Sequence, residues 1–445
     1  MGKLPVRAVL VFWIFLLSAI AFLDRTNVSI AGPQIIREFG LDNLRMGWII
    51  SAFLIGYAAS QVLAGWVAVR LGPRRALTAG VLWWGGFTLA TALVPPKMRG
   101  AILVLIAVRF GLGIGEAIIY PASNQFVARW IPTRERGTVN GVIFAGVGAG
   151  AGLTPPLLVA IIASHGWRAA FWFSATVGVI AGIIWYFIAR DTPEQHALVS
   201  ARELSNIQAG LPEAGDKHAA RTPVPWSAIF RSRTLFLLTF TYFTFGYVAW
   251  IFLGWFYMYM AQARGLNLKT SAFYTMFPFI AMTVFCLGGG VLSDWITARR
   301  GLRAGRCGVG VFSLVMTAVL LVLGSRVGSA SLAAMILAAG AGVLYLCQSS
   351  FWSVSADIAG ESAGVVSAVM NMGAQIGGAV TASLTPWIAQ HFGWTTSFLV
   401  AAILAVAGAI AWLAVDPETK LVSAVIDNLA ASKGLTQFEI SRESH

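Results

Sequence analysis

Ionisable side chains are scarce in this sequence. Asp, Glu, Lys and Arg make up only 11% of the 445 residues, well below their usual share in soluble proteins, whereas 58% of the residues are hydrophobic. The mean hydropathy of +0.76 points the same way. This composition excludes an ordinary soluble domain, and we expect an integral membrane protein.

Cysteine and histidine are also rare. Cys286, Cys307 and Cys347 are odd in number, widely spaced and in or next to apolar segments, so they indicate neither a disulfide framework nor a metal cluster. None of the five histidines lies inside an apolar segment, which argues against a histidine proton relay. The sequence also lacks a nucleophile, metal or cofactor motif, so we expect no enzyme activity and no cofactor.

Long apolar runs, by contrast, are abundant. Twelve segments reach the length of about 20 residues that a helix needs to cross a membrane. They lie near 8–31, 46–69, 76–95, 101–128, 138–164, 168–189, 234–261, 270–297, 306–325, 330–355, 363–390 and 395–415. We predict an all-α membrane protein of twelve transmembrane helices, with the first apolar run retained as a helix rather than cleaved as a signal peptide.

The twelve segments fall into two sets of six. Sliding the sequence by 227 residues pairs Gly137 with Gly364 and Trp167 with Trp394, so segments five and six repeat as eleven and twelve. Such a repeat predicts two bundles related by a pseudo-two-fold axis along the membrane normal, with the site between them. The predicted units are an N-terminal bundle over 1–189, a cytoplasmic linker over 190–233, a C-terminal bundle over 234–415 and a cytoplasmic tail over 416–445, in which 421–435 could form a surface helix.

Positive charge dominates the loops on one side of the membrane. The net charge is +13, and 21 of the 31 Lys and Arg residues fall on the side of the two chain ends, against eight on the other. The positive-inside rule therefore predicts that both ends are cytoplasmic. The excess of Lys and Arg is spread over every loop on that side, so membrane topology explains the positive charge. We therefore expect no nucleic acid as a partner.

Four ionisable residues lie well inside apolar segments, namely Asp24, Arg25, Arg109 and Glu116. Each costs on the order of 3 kcal/mol in the membrane, so they form either a structural ion-pair network or, as we favour, part of a transport pathway. Arg109 and Glu116 are seven residues apart and share one helix face, whereas the neighbours Asp24 and Arg25 point about 100° apart. We predict that Asp24 reaches toward Arg109. Arg25 is predicted to reach Glu116 across the same cavity.

These four charges suggest a way to couple a proton to an anion. Fully ionised, they sum to zero. Protonation of one carboxylate leaves the cavity at +1, and an organic anion bound to the freed guanidinium restores neutrality. Asp24 and Glu116 are therefore the predicted proton carriers.

Four stretches resemble the anion:cation symporter family of the major facilitator superfamily. They are FLDRTNVSIA (22–31), GLGIGEAIIYPASNQFVARWIPTRERG (111–137), GVGAGAGLTPP (146–156) and GWRAAFW (166–172). Bacterial members of that family carry hexuronates, aldonates, aldarates and aromatic acids with protons. The resemblance covers nearly the whole chain and implies a monomeric, proton-coupled importer of a small organic anion in the bacterial inner membrane, working by rocker-switch alternating access.

The resemblance also implies roles for single residues. Asp24 and Glu116 would take up protons, and the substrate would contact Arg25, Tyr57, Arg109 and, from the second half, Asn371. A helix-to-helix hydrogen bond is an equally good interpretation of Asn371. Gln348 and Trp352 in the tenth segment would add polar and stacking contacts, with helix packing as their alternative.

The chain departs from the superfamily at two places. The loop signature G-x-x-x-D-R-x-G-R-R appears as GWVAVRLGPRR (65–75), in which Val69 replaces the acid and Pro73 the first arginine of the pair. The gating candidates are Arg70, Arg74 and Arg75 in that loop and Asp294 in the corresponding GVLSDW (290–295) of the second half. Phe22 stands where sugar-acid members often have tyrosine, which favours a substrate with fewer hydroxyls at that end, or a different acid.

Two alternatives to import remain open at the level of the sequence. An antiporter or exporter of the same fold would carry the same residues, because nothing in them sets direction. A transporter-like sensor would need a cytoplasmic signalling domain, and the linker and tail look too short to form one.

Overall fold

The computed structural model describes residues 5–211, 229, 231–266, 268–418 and 421. Within these ranges the regular secondary structure is helical throughout. The first half contains α1 (Val6–Phe39), α2 (Asn43–Leu93), α3 (Ala101–Glu116), α4 (Ile119–Trp130), α5 (Arg136–His165), α6 (Trp167–Ile188) and α7 (Ala201–Gly210). The second half contains α8 (Arg233–Gly254), α9 (Leu268–Arg300), α10 (Val309–Arg326), α11 (Ala330–Leu346), α12 (Gln348–Ala359), α13 (Ala363–Phe392) and α14 (Trp394–Leu413).

The described helices cross the membrane twelve times, as predicted. Eleven helical segments are long and apolar enough to span it, and one of them, Arg45–Leu93, has 49 residues. At 1.5 Å per residue this segment is about 74 Å long, enough for two crossings of a core of about 30 Å. α2 breaks at Gly72, whose φ of 78° and ψ of 160° leave the helix, and Pro73 follows. The third crossing therefore starts at this break.

The internal repeat is visible in the backbone. Gly166, between α5 and α6, has a φ of 78° and a ψ of 168°. Gly393, its repeat partner between α13 and α14, has a φ of 86° and a ψ of 158°. A side chain with a Cβ atom rarely adopts such a φ, so glycine is needed at both turns. The two halves thus turn the chain in the same way after the fifth and eleventh crossings.

The two sets of helices touch on the side where α1 begins and α14 ends, which we call the terminal side. Nδ2 of Asn124 in α4 donates to Ser355 Oγ in α12 at 2.8 Å. Oε1 of Gln125 accepts from the backbone N–H of Gly364 in α13, also at 2.8 Å. These contacts close the space between the two halves on the terminal side.

The predicted linker and tail lie only partly within the described residues. α7 belongs to the predicted linker, whereas residues 212–228 and 230 lie outside the described part, as do 419, 420 and 422–445. The surface helix predicted over 421–435 therefore falls almost entirely outside it. The three boundaries between bundles, linker and tail stay predictions.

Candidate functional site

A cavity of about 290 Å³ lies between the two halves, in the middle of the helices. Its lining combines two guanidinium groups with nine aromatic side chains. The lining residues include Phe22, Arg25, Ser29, Phe53, Tyr57, Arg109, Tyr120, Phe144, Tyr242, Phe245, Trp250, Tyr345, Gln348, Asn371 and Gln375. Pockets of this kind, largely apolar with a few placed polar groups, are typical of small-molecule sites.

Arg25 and Glu116 form the ion pair that the sequence predicts. Arg25 Nε lies 2.6 Å from Glu116 Oε2. The Arg25 side chain is 19% exposed and lines the cavity, whereas the Glu116 side chain is fully buried and lies outside the lining. The Arg25 guanidinium also lies over the ring of Tyr57, 4.7 Å from its centroid. A molecule in the cavity can therefore contact the Arg25 guanidinium, whereas the Glu116 carboxylate lies behind it.

Asp24 and Arg109 do not form an ion pair with each other in the described structure, contrary to the predicted contact. Asp24 Oδ1 accepts instead from the hydroxyl of Thr88, at 3.2 Å, in the second arm of α2. Arg109 lies with its guanidinium carbon 5.1 Å from the ring centroid of Phe53. Its Nε and Nη1 are buried and have no hydrogen-bond partner among the described residues. Arg109 is thus a buried cation whose donors are left for another ligand.

The second half contributes Asn371 and Gln348 to the cavity. Asn371 Nδ2 donates to Gln61 Oε1 at 3.1 Å and lies 3.4 Å from the Tyr57 hydroxyl, so it faces the cavity and also bonds to α2. The hydrogen bond between helices is therefore present, and a contact of Asn371 with a substrate stays a prediction. Gln348 lines the cavity, and its Nε2 donates to Tyr242 Oη at 2.9 Å.

Trp352 lies behind the cavity rather than in its lining. Its indole N–H donates to Tyr242 Oη at 3.0 Å. Its ring packs 4.8 Å from that of Phe144 and 5.8 Å from that of Tyr120, measured between centroids. Trp352 therefore packs behind the lining residues Tyr120 and Phe144. It would have to move before it could stack on a bound molecule.

Tyr120 and Tyr242 are lining residues that the sequence reasoning missed. Tyr120 follows Glu116 by four residues, one helical turn, so the spacing could have placed it beside the acid. Its hydroxyl lies 3.3 Å from Ser18 Oγ on α1. Tyr242 carries no such signal, because its role depends on donors from α12 that lie more than 100 residues away in sequence.

Comparison with known proteins identifies the architecture. The family model of the Major Facilitator Superfamily matches residues 14–382. The chain belongs to the Major Facilitator Superfamily. It is accordingly a multi-pass membrane transporter and not an enzyme.

Several relatives in the superfamily align over most of the chain. One is the probable sulfoacetate transporter SauU of Cupriavidus necator, 34% identical over 89% of this chain and 91% of that protein. Another is the hexuronate transporter of Bacillus subtilis, which is 29% identical over 92% of this chain and 93% of that protein. Among solved structures, the proton:xylose symporter XylE bound to 6-bromo-6-deoxy-D-glucose has a TM-score of 0.74 at 15% identity, covering 94% of this chain and 99% of that one. At such identity the likeness shows the fold alone.

In this member of the superfamily, four buried charges close the terminal side. Arg136 Nη1 lies 2.7 Å from Asp357 Oδ1, and Arg306 Nη1 lies 2.7 Å from Asp294 Oδ1. Arg306 Nε also lies 3.7 Å from Asp357 Oδ2, which links the two pairs. Asp294 additionally accepts from the backbone N–H of Gly137 at 2.9 Å. Asp294, a predicted gating residue, thus bonds to the opposite half.

The sequence reasoning missed Arg136, Arg306 and Asp357. All three are buried although they stand at helix ends, where charges are ordinarily exposed to water. Arg136 falls within the stretch 111–137 that carries the family resemblance, which is the one signal that could have singled it out.

The other predicted gating residues, Arg70, Arg74 and Arg75, stay within the first half. Arg74 receives its contacts from α6 and the residues after it: its backbone N–H donates to Asp191 Oδ1 at 2.9 Å and its Nε to the carbonyl of Tyr186 at 2.8 Å. Arg75 is exposed. No hydrogen bond or ion pair from these three arginines reaches the second half among the described residues. With Val69 in place of the acid, this loop lacks the carboxylate that Asp294 supplies on the other half.

Proposed function

We propose that this transporter imports a small organic anion together with protons by rocker-switch alternating access. The observation that carries the proposal is the arrangement of Arg25 and Glu116, in which the cavity-facing cation is neutralised by a carboxylate buried directly behind it. The Glu116 carboxylate and a substrate anion then compete for the same guanidinium from opposite sides, and protonation of Glu116 favours the anion.

Protonation of Glu116 removes the charge that holds Arg25. The guanidinium then has a free donor edge toward the cavity, and a carboxylate or sulfonate oxygen can take the place of Glu116 Oε2. A substrate anion without the proton would instead bring two negative groups onto one cation. Binding of the anion and protonation of Glu116 therefore stabilise each other, which is the thermodynamic requirement for coupling.

Arg109 supplies the second anchor. Its two unpartnered buried nitrogens are costly to leave unbonded, and a bound anion satisfies them. Asp24, held by Thr88, keeps the empty site close to neutral while Glu116 is ionised, and it is the second proton carrier of the proposed cycle. The pair of guanidinium groups on one wall favours an anion with two acceptor groups, or one carboxylate that both residues share.

The cavity wall favours a compact anion. Nine of its 23 described lining residues are aromatic, and the uncharged polar side chains beside them are Thr26, Ser29, Gln348, Asn371 and Gln375. The relatives named for sulfoacetate and for hexuronate set the range to test, from a two-carbon anion to a sugar acid. Because Phe22 lines the wall in place of a tyrosine, we expect the less hydroxylated anion to bind more tightly.

The described state is closed on one side only, and an inward proton gradient would set the direction of transport. Contacts between the halves close the terminal side, while the cavity lining extends to Ser29 and Ile50, toward the opposite ends of α1 and α2. With both chain ends cytoplasmic in a bacterial inner membrane, as the positive loops favour, this state faces outward and is ready to load substrate. An inward proton gradient would then drive import.

Uptake into proteoliposomes tests the proposal. Labelled sulfoacetate, glucuronate and galacturonate are offered with and without an imposed inward proton gradient, to the wild type and to Glu116→Gln. We expect the gradient to drive accumulation of at least one anion by the wild type. Glu116→Gln should lose this accumulation, because its site no longer takes up a proton, but should retain counterflow exchange.

Glu418→Gln is the matched control, because Glu418 is an exposed carboxylate near the end of the described chain. It should accumulate the anion as the wild type does. Accumulation by Glu116→Gln equal to that of the control would refute Glu116 as the coupling acid. Uptake that depends on a trapped internal anion and not on the proton gradient would show an exchanger instead.

A further inference from the structure

A second cavity, of about 760 Å³, lies on the terminal side of the first half, far from the substrate cavity. We call it the interfacial groove. It lies between the first turns of α1, the end of α6 and the segment that leads into α7. Its lining comprises Pro5, Val6, Arg7, Val9, Leu10, Phe187, Ile188, Arg190, His196, Ala197, Leu198, Ser200, Arg202, Glu203 and Asn206. The mechanism proposed for transport makes no use of these residues.

Three arginines line the groove, and two of them form no ion pair within the described residues. Arg202 is exposed and makes no hydrogen bond or ion pair with any described residue. Arg190 uses Nη1 on the carbonyls of Phe187 and Ala189, at the end of α6, and forms no ion pair among the described residues. The groove therefore presents two guanidinium groups whose positive charge is not neutralised.

The other polar groups of the groove are already engaged. The carboxylate of Glu203 accepts from the backbone N–H groups of Val6 and Arg7, at 3.1 and 3.0 Å, and so occupies the exposed donors of the first turn of α1. Arg7 itself pairs with Glu135 at 2.9 Å. His196 Nδ1 lies 3.2 Å from the backbone nitrogen of Leu198 and Nε2 lies 2.9 Å from the carbonyl oxygen of Ile188, so both ring nitrogens are engaged. The single carboxylate in the lining is thus held at the first turn of α1 and forms no ion pair with Arg190 or Arg202 in the described structure.

The remaining wall of the groove is apolar and faces outward. Val9, Phe187 and Leu198 are 45%, 68% and 79% exposed. Val9 and Phe187 belong to membrane-crossing helices, close to the ends where these helices leave the hydrocarbon core. Leu198 stands ten residues beyond the end of α6, in a polar segment where an exposed leucine has no partner in the described protein. An apolar wall beside two free guanidinium groups, at the edge of the membrane, matches one end of a lipid molecule.

We propose that the interfacial groove binds an anionic phospholipid, with its phosphate between Arg190 and Arg202 and an acyl chain along Val9 and Phe187. A free phosphate ion would use the guanidinium groups but would leave the apolar wall in water. A zwitterionic lipid would fill the wall, but its positive headgroup would meet two arginines. The combination selects a lipid of net negative charge, held from the same leaflet as the chain ends.

Native mass spectrometry of the full-length transporter tests this site. Purified protein is titrated with phosphatidylglycerol or phosphatidylcholine, and the fraction of protein carrying one retained lipid is recorded. Arg202→Gln is the chosen variant, because Arg202 has no bond within the described protein and its loss should leave the fold intact. Neutralising one cation is expected to weaken phosphatidylglycerol retention about fivefold, equivalent to about 1 kcal/mol.

Arg300→Gln is the matched control: Arg300 is an exposed cation on the terminal side of the second half, outside the groove. The expected pattern is tighter retention of phosphatidylglycerol than of phosphatidylcholine, weakened by Arg202→Gln and not by Arg300→Gln. Glycerol 3-phosphate should bind far more weakly than the lipid, because it lacks the acyl chains. Equal retention of the two lipids, an equal effect of both variants, or equal binding of glycerol 3-phosphate would each overturn the proposal.

Discussion

Arg136, in the first turn of α5, and Asp357, near the end of α12, form a fully buried ion pair of 2.7 Å that joins the two halves of the transporter. The arginine is also held by two carbonyl oxygens of its own half, since its Nη2 donates to Ala128 and its Nε to Ile131. Asp357 lies within reach of a second arginine, Arg306. The charges that close the terminal side are therefore one connected network, and loss of one member should weaken the closure as a whole.

Neutralising Arg136 should open the terminal side. Arg136→Gln removes the 2.7 Å ion-pair partner of the buried Asp357 carboxylate, and breaking a buried pair in this way costs about 3–5 kcal/mol in the closed state. Spin labels on Arg134→Cys and Arg299→Cys, both at exposed positions on the terminal side, can report the separation of the halves. The native cysteines are buried and should not be labelled. We expect a longer distance in Arg136→Gln than in the parent pair.

Arg75→Gln is the control for that measurement. Arg75 is an exposed arginine on the same side, and the sequence places it in a gating loop, yet no bond from it crosses to the second half among the described residues. Its removal should leave the label distance unchanged. A shift in Arg75→Gln as large as that in Arg136→Gln would mean that the buried network does not control the closure.

A close backbone approach should make Gly290 essential for the closed terminal side. A Cβ atom at Gly290 in α9 would meet the carbonyl oxygen of Gly137 in α5, a rigid backbone atom. Gly290→Ala should therefore favour separation of the halves, and the same spin-label pair should show a longer distance. Gly288 lies two residues earlier in the same helix, and a Cβ atom there would meet nothing within 4 Å. Gly288→Ala should therefore behave as the parent does. Identical distances in both alanine variants would contradict this account.

The sequence predicts the parts of the site that local spacing determines. Arg109 and Glu116 share a helix face, and Arg25 does reach Glu116, because helix geometry fixes those directions within a few residues. Asp24 forms no direct ion pair with Arg109 in the described structure, and it accepts instead from Thr88, a partner 64 residues further along the chain that local spacing does not predict. The ion pair of Arg136 with Asp357 spans 221 residues and follows no periodic pattern. Local rules therefore predict helices, repeat and intramembrane charges, while the packing of the two halves decides the rest.

Arg109 and Arg25 should respond in opposite ways to loss of their charge. Arg109→Met removes a buried cation whose Nε and Nη1 have no partner in the described structure, and a proton taken up by Asp24 would keep the empty site neutral, so the melting temperature of the empty protein should stay the same or rise. Arg25→Met leaves Glu116 buried without its cation and should lower the melting temperature. Both variants should lose the thermal shift that a transported anion gives the wild type. A destabilised Arg109→Met that still binds the anion would show that Arg109 serves structure and not substrate.

Loss of the Tyr242 hydroxyl should affect both stability and substrate binding. Its oxygen accepts from both Gln348 Nε2 and Trp352 Nε1, at 2.9 and 3.0 Å, in a buried position. Tyr242→Phe therefore leaves two buried donors unpaired, which costs about 1–3 kcal/mol for each one that finds no new partner. Because Gln348 lines the cavity and loses its anchor, KM for the transported anion should rise while the fold is retained.

Tyr345→Phe is the control, since the Tyr345 hydroxyl makes no hydrogen bond with a described residue and its ring lines the same cavity. Thermal unfolding and uptake kinetics are measured on both variants. Equal melting temperatures and equal KM values would show that the two donors find other partners without Tyr242, and that the cavity does not depend on this hydroxyl.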